Sequence, residues 1–317
     1  MFALYGIRVR FARGEETKYI SHLDIVKVFE RALRRSGIPA AYTQGFNPHP
    51  QMVFGLPLPV GVTSEAEYAD FELERKTDPE EFARALNFRL PGGFRITGAG
   101  EKRTKKNIMA SITTASYCML VFPPGGNRPP RESLEKICGF IGDFGRMPSI
   151  IVKKEGKNGP KNVDIKPMIH GLEVGIYRGR MSGGACIDGT CTGEDFREWE
   201  AKAGFAAANA PAAGKCAGHV ICPPMLMPPA GKMNKRFSGG QIPAVEEDSG
   251  IIYVFAILSA GSRANLKPEA LFEAFGAISA ADAAAAGTGR LIIHRTGLYA
   301  EAGGMVVEPL SRAALTL

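Results

Sequence analysis

Two histidines near the amino end of the sequence stand where an imidazole could bind a substrate or transfer a proton. His49 lies between two prolines in "NPHP" (47–50), and His22 follows Ser21 in "SHLD". Proline fixes its own φ and keeps the preceding residue extended, so Asn47 and His49 are excluded from the helical basin. An imidazole held in this way keeps its aim, which favours a binding group or a general acid or base. A rigid turn in which His49 only bonds the backbone is the alternative.

A stripe of cations is the second chemical signal. The segment "SHLDIVKVFERALRRSG" predicts a helix. Four of its cations fall on one helical face: Lys27, Arg31, Arg34 and Arg35. Like charges repel one another unless an anion neutralises them, so this face would suit phosphate groups, and the formal net charge of +7 also favours a polyanionic partner. We expect these cations, with Asn47 and His49, to bind nucleic acid; a solvated face partly neutralised by Glu30 is the alternative.

Cysteines and one histidine late in the chain form a cluster with the composition of a metal site. Its members, in the spacing C-x4-C-x24-C-x2-H-x2-C, are Cys186, Cys191, Cys216, His219 and Cys222. These ligand types would suit a tetrahedral zinc ion or an iron–sulfur cluster. The tight C-x2-C pairs of a zinc ribbon are missing, so free thiols on a variable loop are the alternative.

The sequence lacks the motifs of several common enzyme classes. It contains no Walker phosphate loop, no G-x-G-x-x-G after a predicted strand, no G-x-S-x-G and no H-E-x-x-H. Standard hydrolase, kinase and oxidoreductase functions are therefore disfavoured. No apolar run approaches the roughly 18 residues of a membrane helix, and the first residues lack the apolar stretch of a signal peptide. We therefore expect no membrane contact and a cytoplasmic location.

The elements that must position the histidines and cations alternate between strand and helix patterns. They are, in order, a strand at 4–12, a helix at 21–37, an extended segment at 40–58, a strand at 67–74, a helix at 78–90 and a strand at 94–102. Ser21 is the natural N-cap of the first helix and Gly37 its stop. This β-α-β-β-α-β order predicts a ferredoxin-like unit, in which two helices cover one face of an antiparallel sheet.

The order partly repeats in the second half of the chain. The predicted elements are a strand at 111–122, a helix at 131–144, a strand at 149–154, an extended segment at 163–177, a strand at 250–260, a helix at 267–276 and a strand at 290–300. A Gly/Ala/Cys-rich stretch at about 180–249 has little periodicity and predicts a loose insertion. We predict an α+β fold of two tandem ferredoxin-like (βαββαβ) units, at 1–108 and 109–317, the second interrupted by this insertion.

Residues 18–73 carry a dense, ordered series of motifs: "SHLD", "RALRRSG", "GFNPHP", a "PLP" segment and "EYADF". Together they closely resemble the radical SAM-linked, or radical SAM-associated, proteins, a bacterial family with a domain of unknown function. Short similarities return at "VDIKPMI" (163–169) and "IHRTGLY" (293–299). The family has no established activity, but its members are encoded beside, or fused to, a radical SAM protein with a cobalamin-binding domain, often near genes of RNA processing. The resemblance implies such a protein as partner, and the basic stripe makes RNA the natural substrate.

Three functions remain open at this point. The leading hypothesis is a non-catalytic accessory protein that binds RNA or presents a substrate to a cobalamin-dependent radical SAM partner, with His22, Asn47 and His49 lining a groove beside the cations. The second is an RNA-processing or RNA-modifying enzyme in which His22 or His49 is the general acid or base. The third is a protein-interaction scaffold.

Overall fold

The computed structural model of the chain describes residues 4–122, 139, 143–144, 146–154, 159–182, 185–190, 251–278, 290–302 and 305–316. The strands are Tyr5–Arg13 (β1), Met52–Phe54 (β2), Thr63–Leu73 (β3), Phe94–Lys102 (β4), Ile112–Phe122 (β5), Ile151–Lys154 (β6), Lys161–Asp164 (β7), Ile169–Ser182 (β8), Ala185–Thr190 (β9), Ile251–Ser259 (β10), Arg290–Ala302 (β11) and Met305–Val307 (β12). The α-helices are His22–Ser36 (α1), Pro79–Asn87 (α2), Ile108–Ser111 (α3), Pro268–Ile278 (α4) and Arg312–Thr316 (α5).

The ends of α1 follow from the residues that flank it. The Ser21 hydroxyl accepts a hydrogen bond from the Asp24 amide (3.3 Å) and so satisfies one of the free N–H groups of the first turn. Gly37 ends the helix with a φ of 73°, a value at which a side chain would be strained. Both caps confirm the sequence prediction. The side chains that α1 buries are Ile25, Phe29, Ala32 and Leu33.

Most of the strands join one ten-stranded sheet. Its order is β4-β1-β3-β11-β5-β10-β8-β9, with β2 also paired to β3 and β12 to β11, and β6 and β7 form a separate two-stranded sheet. Within the described residues the pairing of β3 with β11 is parallel, and the other pairings are antiparallel. The chain is therefore a mixed α/β structure in which strands outweigh helices.

The two halves of the chain meet along β3. β2 has three residues and covers only Ala69–Phe71 of the eleven-residue β3, so the first part of β3 keeps an open edge. β11 takes this edge, with His294 opposite Thr63 and Arg295 opposite Ser64. An open edge presents unpaired amide and carbonyl groups, and filling it joins the halves into one sheet. Two tandem ferredoxin-like units are thus not confirmed, because this sheet is not a simple ferredoxin fold; the domain boundary at residue 108 stays a prediction.

The core beneath α1 is built from phenylalanine rings. The centroid of the Phe29 ring lies 5.0 Å from that of Phe11, 5.3 Å from Phe54 and 6.1 Å from Phe71. All four side chains are buried, and ring contacts of this kind stabilise a core beyond the burial of their area. A second cluster of buried apolar side chains joins β5, β10 and α4. The phenylalanine core orients α1 and directs its opposite face to solvent.

The insertion predicted at about 180–249 lies mostly outside the described residues. Its first residues correct the prediction of a loose excursion, because β8 extends to Ser182 and pairs with β9. Backbone pairing between two strands can order a sequence with few apolar side chains, and periodicity does not reveal it. None of the helices in the described ranges combines the length and the hydropathy of a membrane-spanning helix.

Candidate functional site

The predicted cations of α1 lie on its solvent face. Lys27, Arg31, Arg34 and Arg35 are all exposed, on the side of the helix opposite to the phenylalanine core. The helical period of 3.6 residues puts Lys27, Arg31 and Arg34 on adjacent turns. We call these four residues the basic face.

Carboxylates neutralise the basic face only in part, through Asp24, which interacts with the charges of Lys27 and Arg31. Lys27 Nζ lies 3.4 Å from Asp24 Oδ1, and both side chains are more than half exposed. Arg35 donates to the Arg31 carbonyl (3.2 Å) and to the Arg89 carbonyl (3.0 Å) rather than to an acid. Among the described residues no carboxylate pairs with Arg31, Arg34 or Arg35. Their charge is therefore available to an anionic partner.

His49 lies beside the basic face. Its Nδ1 is 3.1 Å from Oε1 of Glu30, which is one helical turn from both Lys27 and Arg34. The loop that carries it is closed at its base, where the Thr43 amide donates to the His49 carbonyl (2.9 Å) and the His49 amide donates to the Thr43 hydroxyl (3.0 Å). Asn47 is exposed in the same loop.

Exposed aromatic rings stand on two segments that contact α1, the loop of His49 and the end of α2. Phe46, in the loop of His49, is fully exposed, and Phe88, at the end of α2, is 80% exposed. Phe88 precedes Arg89, whose guanidinium carbon lies 4.9 Å from the centre of the Phe88 ring and whose carbonyl binds Arg35. Sequence reasoning missed Phe88. The available signal was its position off the i, i+4 spacing of Phe82 and Leu86, the two side chains that α2 buries.

His22 has other neighbours than His49. It opens α1, eight residues before Glu30, which separates the two positions by about 12 Å along the helix axis. Its ring makes an edge contact with Phe54, with centroids 5.7 Å apart. Burial lowers the pKa of His22; the charge of Glu67 opposes this effect and that of Arg13 adds to it. The two histidines therefore have different neighbours, and the groove that they are predicted to line together stays a prediction.

His22 borders a buried polar cluster where β3 meets β11. Arg295 Nη1 lies 2.9 and 3.2 Å from the two oxygens of Glu67 and also donates to the Leu56 carbonyl (2.9 Å), while its Nη2 donates to the Tyr117 hydroxyl (3.2 Å). Arg295 and Glu67 are almost completely buried. This ion pair links the first half of the chain to β5 and β11.

A second buried guanidinium, Arg13, completes the cluster without a carboxylate of its own. Its side chain donates to the carbonyls of Thr17, Lys18 and Ile20 at 2.7–3.1 Å. Burial lowers the pKa of Arg13. Burial is the largest single effect on Arg295 and acts to lower its pKa, but the charges of Glu67 and Tyr117 and the hydrogen bonds to both side chains together raise that pKa overall. Glu67 is thus the carboxylate whose charge acts on both buried arginines.

Sequence reasoning missed this cluster although its residues lie in the motifs. Glu67 falls in "EYADF" and Arg295 in "IHRTGLY", both on predicted strands. For Arg295 the available signal was a charged residue within a mostly apolar strand, since a buried charge needs a partner. Glu67 lies on a strand in which acidic and apolar residues are mixed, and it carried no such signal. The identity of that partner, 228 positions away, was not readable from local pattern.

The two other histidines that the structure describes, His294 and His170, each contact a hydroxyl group of the fold. His294 Nδ1 lies 2.8 Å from the Thr63 hydroxyl, its Nε2 has no hydrogen-bond partner, and burial lowers its pKa to about 3. His170 Nε2 lies 2.8 Å from the Ser259 hydroxyl. Of the metal-site candidates, Cys186 is in β9, and the others lie outside the described residues: Cys191, Cys216, His219 and Cys222. The zinc or iron–sulfur site stays a prediction.

The structure defines a mixed α/β protein with one large sheet and an exposed basic helix at one end of its chain. Over residues 6–192, more than half of its length, the sequence matches a bacterial family described as "Uncharacterized protein conserved in bacteria (DUF2344)". The chain belongs to this family. The match includes the "SHLD" and "GFNPHP" motifs and ends before "IHRTGLY". A comparison with curated proteins gives no match.

Proposed function

We propose that this protein binds single-stranded RNA across the basic face of α1. The observation that carries the proposal is the set of exposed arginines without carboxylate partners in the described structure, together with the exposed rings of Phe46 and Phe88. Cations neutralise the phosphates of a strand, and exposed aromatic rings stack on its unpaired bases. A solvated helix face explains the charges but leaves the two exposed rings without a role.

The basic face can be tested with the triple substitution Arg31→Ala, Arg34→Ala and Arg35→Ala. We expect the affinity for a short single-stranded RNA at low salt to fall by about tenfold or more, and the slope of log K against log salt to decrease by about 2, since three phosphate contacts are lost. Fluorescence anisotropy at several salt concentrations measures both quantities.

A matched control removes the same charge elsewhere. Lys153, Arg263 and Lys267 are exposed cations of the second half, and changing all three to alanine should leave affinity nearly unchanged. If both triple variants lose affinity equally, net charge rather than the basic face is responsible. If neither triple variant loses affinity for RNA, the proposal is wrong.

We further propose that the protein presents this RNA to a radical SAM enzyme with a cobalamin-binding domain. The support is the resemblance of residues 18–73 to the radical SAM-associated proteins and the absence of the C-x3-C-x2-C motif from this chain. Copurification before and after nuclease treatment tests this part. A complex that survives nuclease shows direct protein contact, which a pure interaction scaffold would also give, and RNA binding by the chain alone separates these two roles.

An RNA-processing enzyme is the second candidate function. The surroundings of His22 favour His22 over His49 as its general acid or base. A histidine with a lowered pKa is neutral near pH 7 and can accept a proton, and His22 sits near a guanidinium and a carboxylate. If this function holds, His22→Gln should lower metal-free RNA cleavage by about 100-fold or more, while His49→Gln should not. The cleavage rate should stay constant near neutral pH and decline in acid, where His22 becomes protonated. An absence of cleavage in the presence of a chelator would contradict it.

The tandem architecture also remains our proposal. In the first half the strand order is β4-β1-β3-β2, and in the second it is β11-β5-β10-β8. In both, the first strand of the half lies between its third and its last, as the βαββαβ pattern requires. The buried cluster of Glu67 and Arg295 would then lie at the junction of two related units.

A further inference from the structure

An open cleft of about 600 Å³ lies beside the loop that carries His49. Its amide side chains are Gln44, Gln51 and Asn107, and its apolar wall consists of Pro50, Met52 and Val53. We call it the amide cleft. Its volume falls in the range that small-molecule sites occupy, and its mixture of an apolar wall with a few polar groups is typical of such sites. The basic face does not include these side chains.

The charged side chains of the amide cleft are paired with one another. Lys102 Nζ lies 2.9 Å from Glu72 Oε1 and 3.9 Å from Asp70 Oδ2. Asp70 also accepts hydrogen bonds from Arg8 at 2.7 and 3.0 Å and from the Ile108 amide at 2.8 Å. Because these charges already satisfy one another, the cleft favours a ligand group that is polar but uncharged.

The amide groups offer complementary hydrogen-bonding atoms. Asn107 Oδ1 accepts from the Ala110 amide (2.9 Å), which leaves the Nδ2 hydrogens free to donate. Gln51 Nε2 donates to the Tyr42 carbonyl (3.0 Å), which leaves Oε1 free to accept. A donor and an acceptor beside an apolar wall match a nucleobase, which has a flat apolar face and an edge that carries both kinds of group.

Cations that could hold a phosphate stand next to the cleft. Lys105 and Lys106 directly precede Asn107, and both are exposed. Among the described residues neither side chain pairs with a carboxylate. A nucleotide whose base occupies the cleft would place its phosphate within the field of these lysines.

We propose that the amide cleft binds a nucleotide, with the base against Gln51 and Asn107 and the phosphate near Lys105 and Lys106. The ligand is either a free mononucleotide or one nucleotide of an RNA strand, and the second form rests on the proposed RNA binding. Thr43 and Gln44 line the cleft and belong to the loop of His49, so a strand on the basic face can continue around this loop into the cleft.

The experiment titrates the full chain by calorimetry with AMP, GMP, CMP and UMP and with the matching nucleosides. We expect at least one mononucleotide to bind. Gln51→Leu should lower the affinity for this mononucleotide by about tenfold. Gln51→Leu keeps the backbone bonds of this residue to Ala41 and Glu72. Gln44→Leu, at an exposed position, gives a second variant that does not threaten folding. The double variant Lys105→Ala, Lys106→Ala should weaken the binding of the mononucleotide but not that of the nucleoside.

The control is Asn265→Leu, an exposed amide that does not line the cleft, and it should bind as the unmodified chain does. A second arm measures the preference among short homopolymeric RNAs by anisotropy. If free mononucleotides do not bind but Gln51→Leu or Gln44→Leu alters the base preference, the site reads a base within a strand and the proposal stands. If Gln51→Leu and Gln44→Leu change neither mononucleotide binding nor the preference among the homopolymeric RNAs, the proposal is overturned.

The two proposals fail separately. Mononucleotide binding that persists in the Arg31→Ala, Arg34→Ala, Arg35→Ala variant supports the amide cleft whatever happens to RNA affinity. An RNA affinity that is unchanged in that triple variant contradicts the basic face alone.

Discussion

Replacing Glu67 by glutamine should lower the free energy of unfolding by about 3–5 kcal/mol. The substitution keeps the shape of the side chain but leaves the Arg295 guanidinium buried without an anion, and an uncompensated buried charge is far more destabilising than the loss of an exposed pair. Arg13, which has carbonyl partners but no carboxylate, adds a second cation nearby. Urea unfolding at pH 7, followed by circular dichroism, measures the change in the free energy of unfolding. This change is read from the shift of the urea midpoint, provided that the dependence of the free energy on urea keeps the same slope.

Two further variants separate the buried charge from other effects. Glu74→Gln changes an exposed carboxylate just after the end of the same strand and should alter stability by less than about 0.5 kcal/mol. The double variant Glu67→Gln, Arg295→Met should recover much of the loss, because it removes the orphaned charge together with its partner. A Glu67→Gln protein within about 1 kcal/mol of the original would show that water or another group compensates Arg295.

Acid should destabilise the protein through His294. Its pKa is about 3 in the folded protein because burial disfavours the charged ring, and about 6.5 in an unfolded chain. Between these two values the unfolded state binds one more proton than the folded state, so stability is lost as pH falls through this window. The loss is about 1.4 kcal/mol per pH unit, or about 2 kcal/mol from pH 6.5 to pH 5.

The measurement is a series of urea unfolding curves between pH 7 and pH 4. His294→Leu removes the titrating ring, so the stability of the original minus that of this variant should fall by about 1.4 kcal/mol per pH unit as pH falls below 6.5. Carboxylates also titrate in this range, but they do so in both proteins and cancel in the difference. Asn265→Leu, at an exposed amide that does not titrate, serves as control and should leave the slope unchanged. A pH-independent difference for His294→Leu would refute the assignment.

The parts of the fold that local patterns determine could be predicted. The N-cap of Ser21 and the stop at Gly37 depend on residues within a few positions, and the structure confirms both. The order of strands and helices in residues 1–108 follows from periodicity for the same reason. Local pattern did not predict that β11 would take the open edge of β3, because strand pairing is settled by which edges remain free after folding.

The same distinction between local pattern and tertiary contacts applies to the candidate site. By itself the sequence determined the basic face, since the helical period places Lys27, Arg31 and Arg34 together whatever the rest of the chain does. Tertiary structure alone decided that His49 lies against Glu30, that the exposed Phe88 ring lies under Arg89, and that His22 packs against Phe54. It also decided that Glu67 meets Arg295, because a buried charge takes its partner from whatever folding brings near, and no local spacing records a contact across 228 positions.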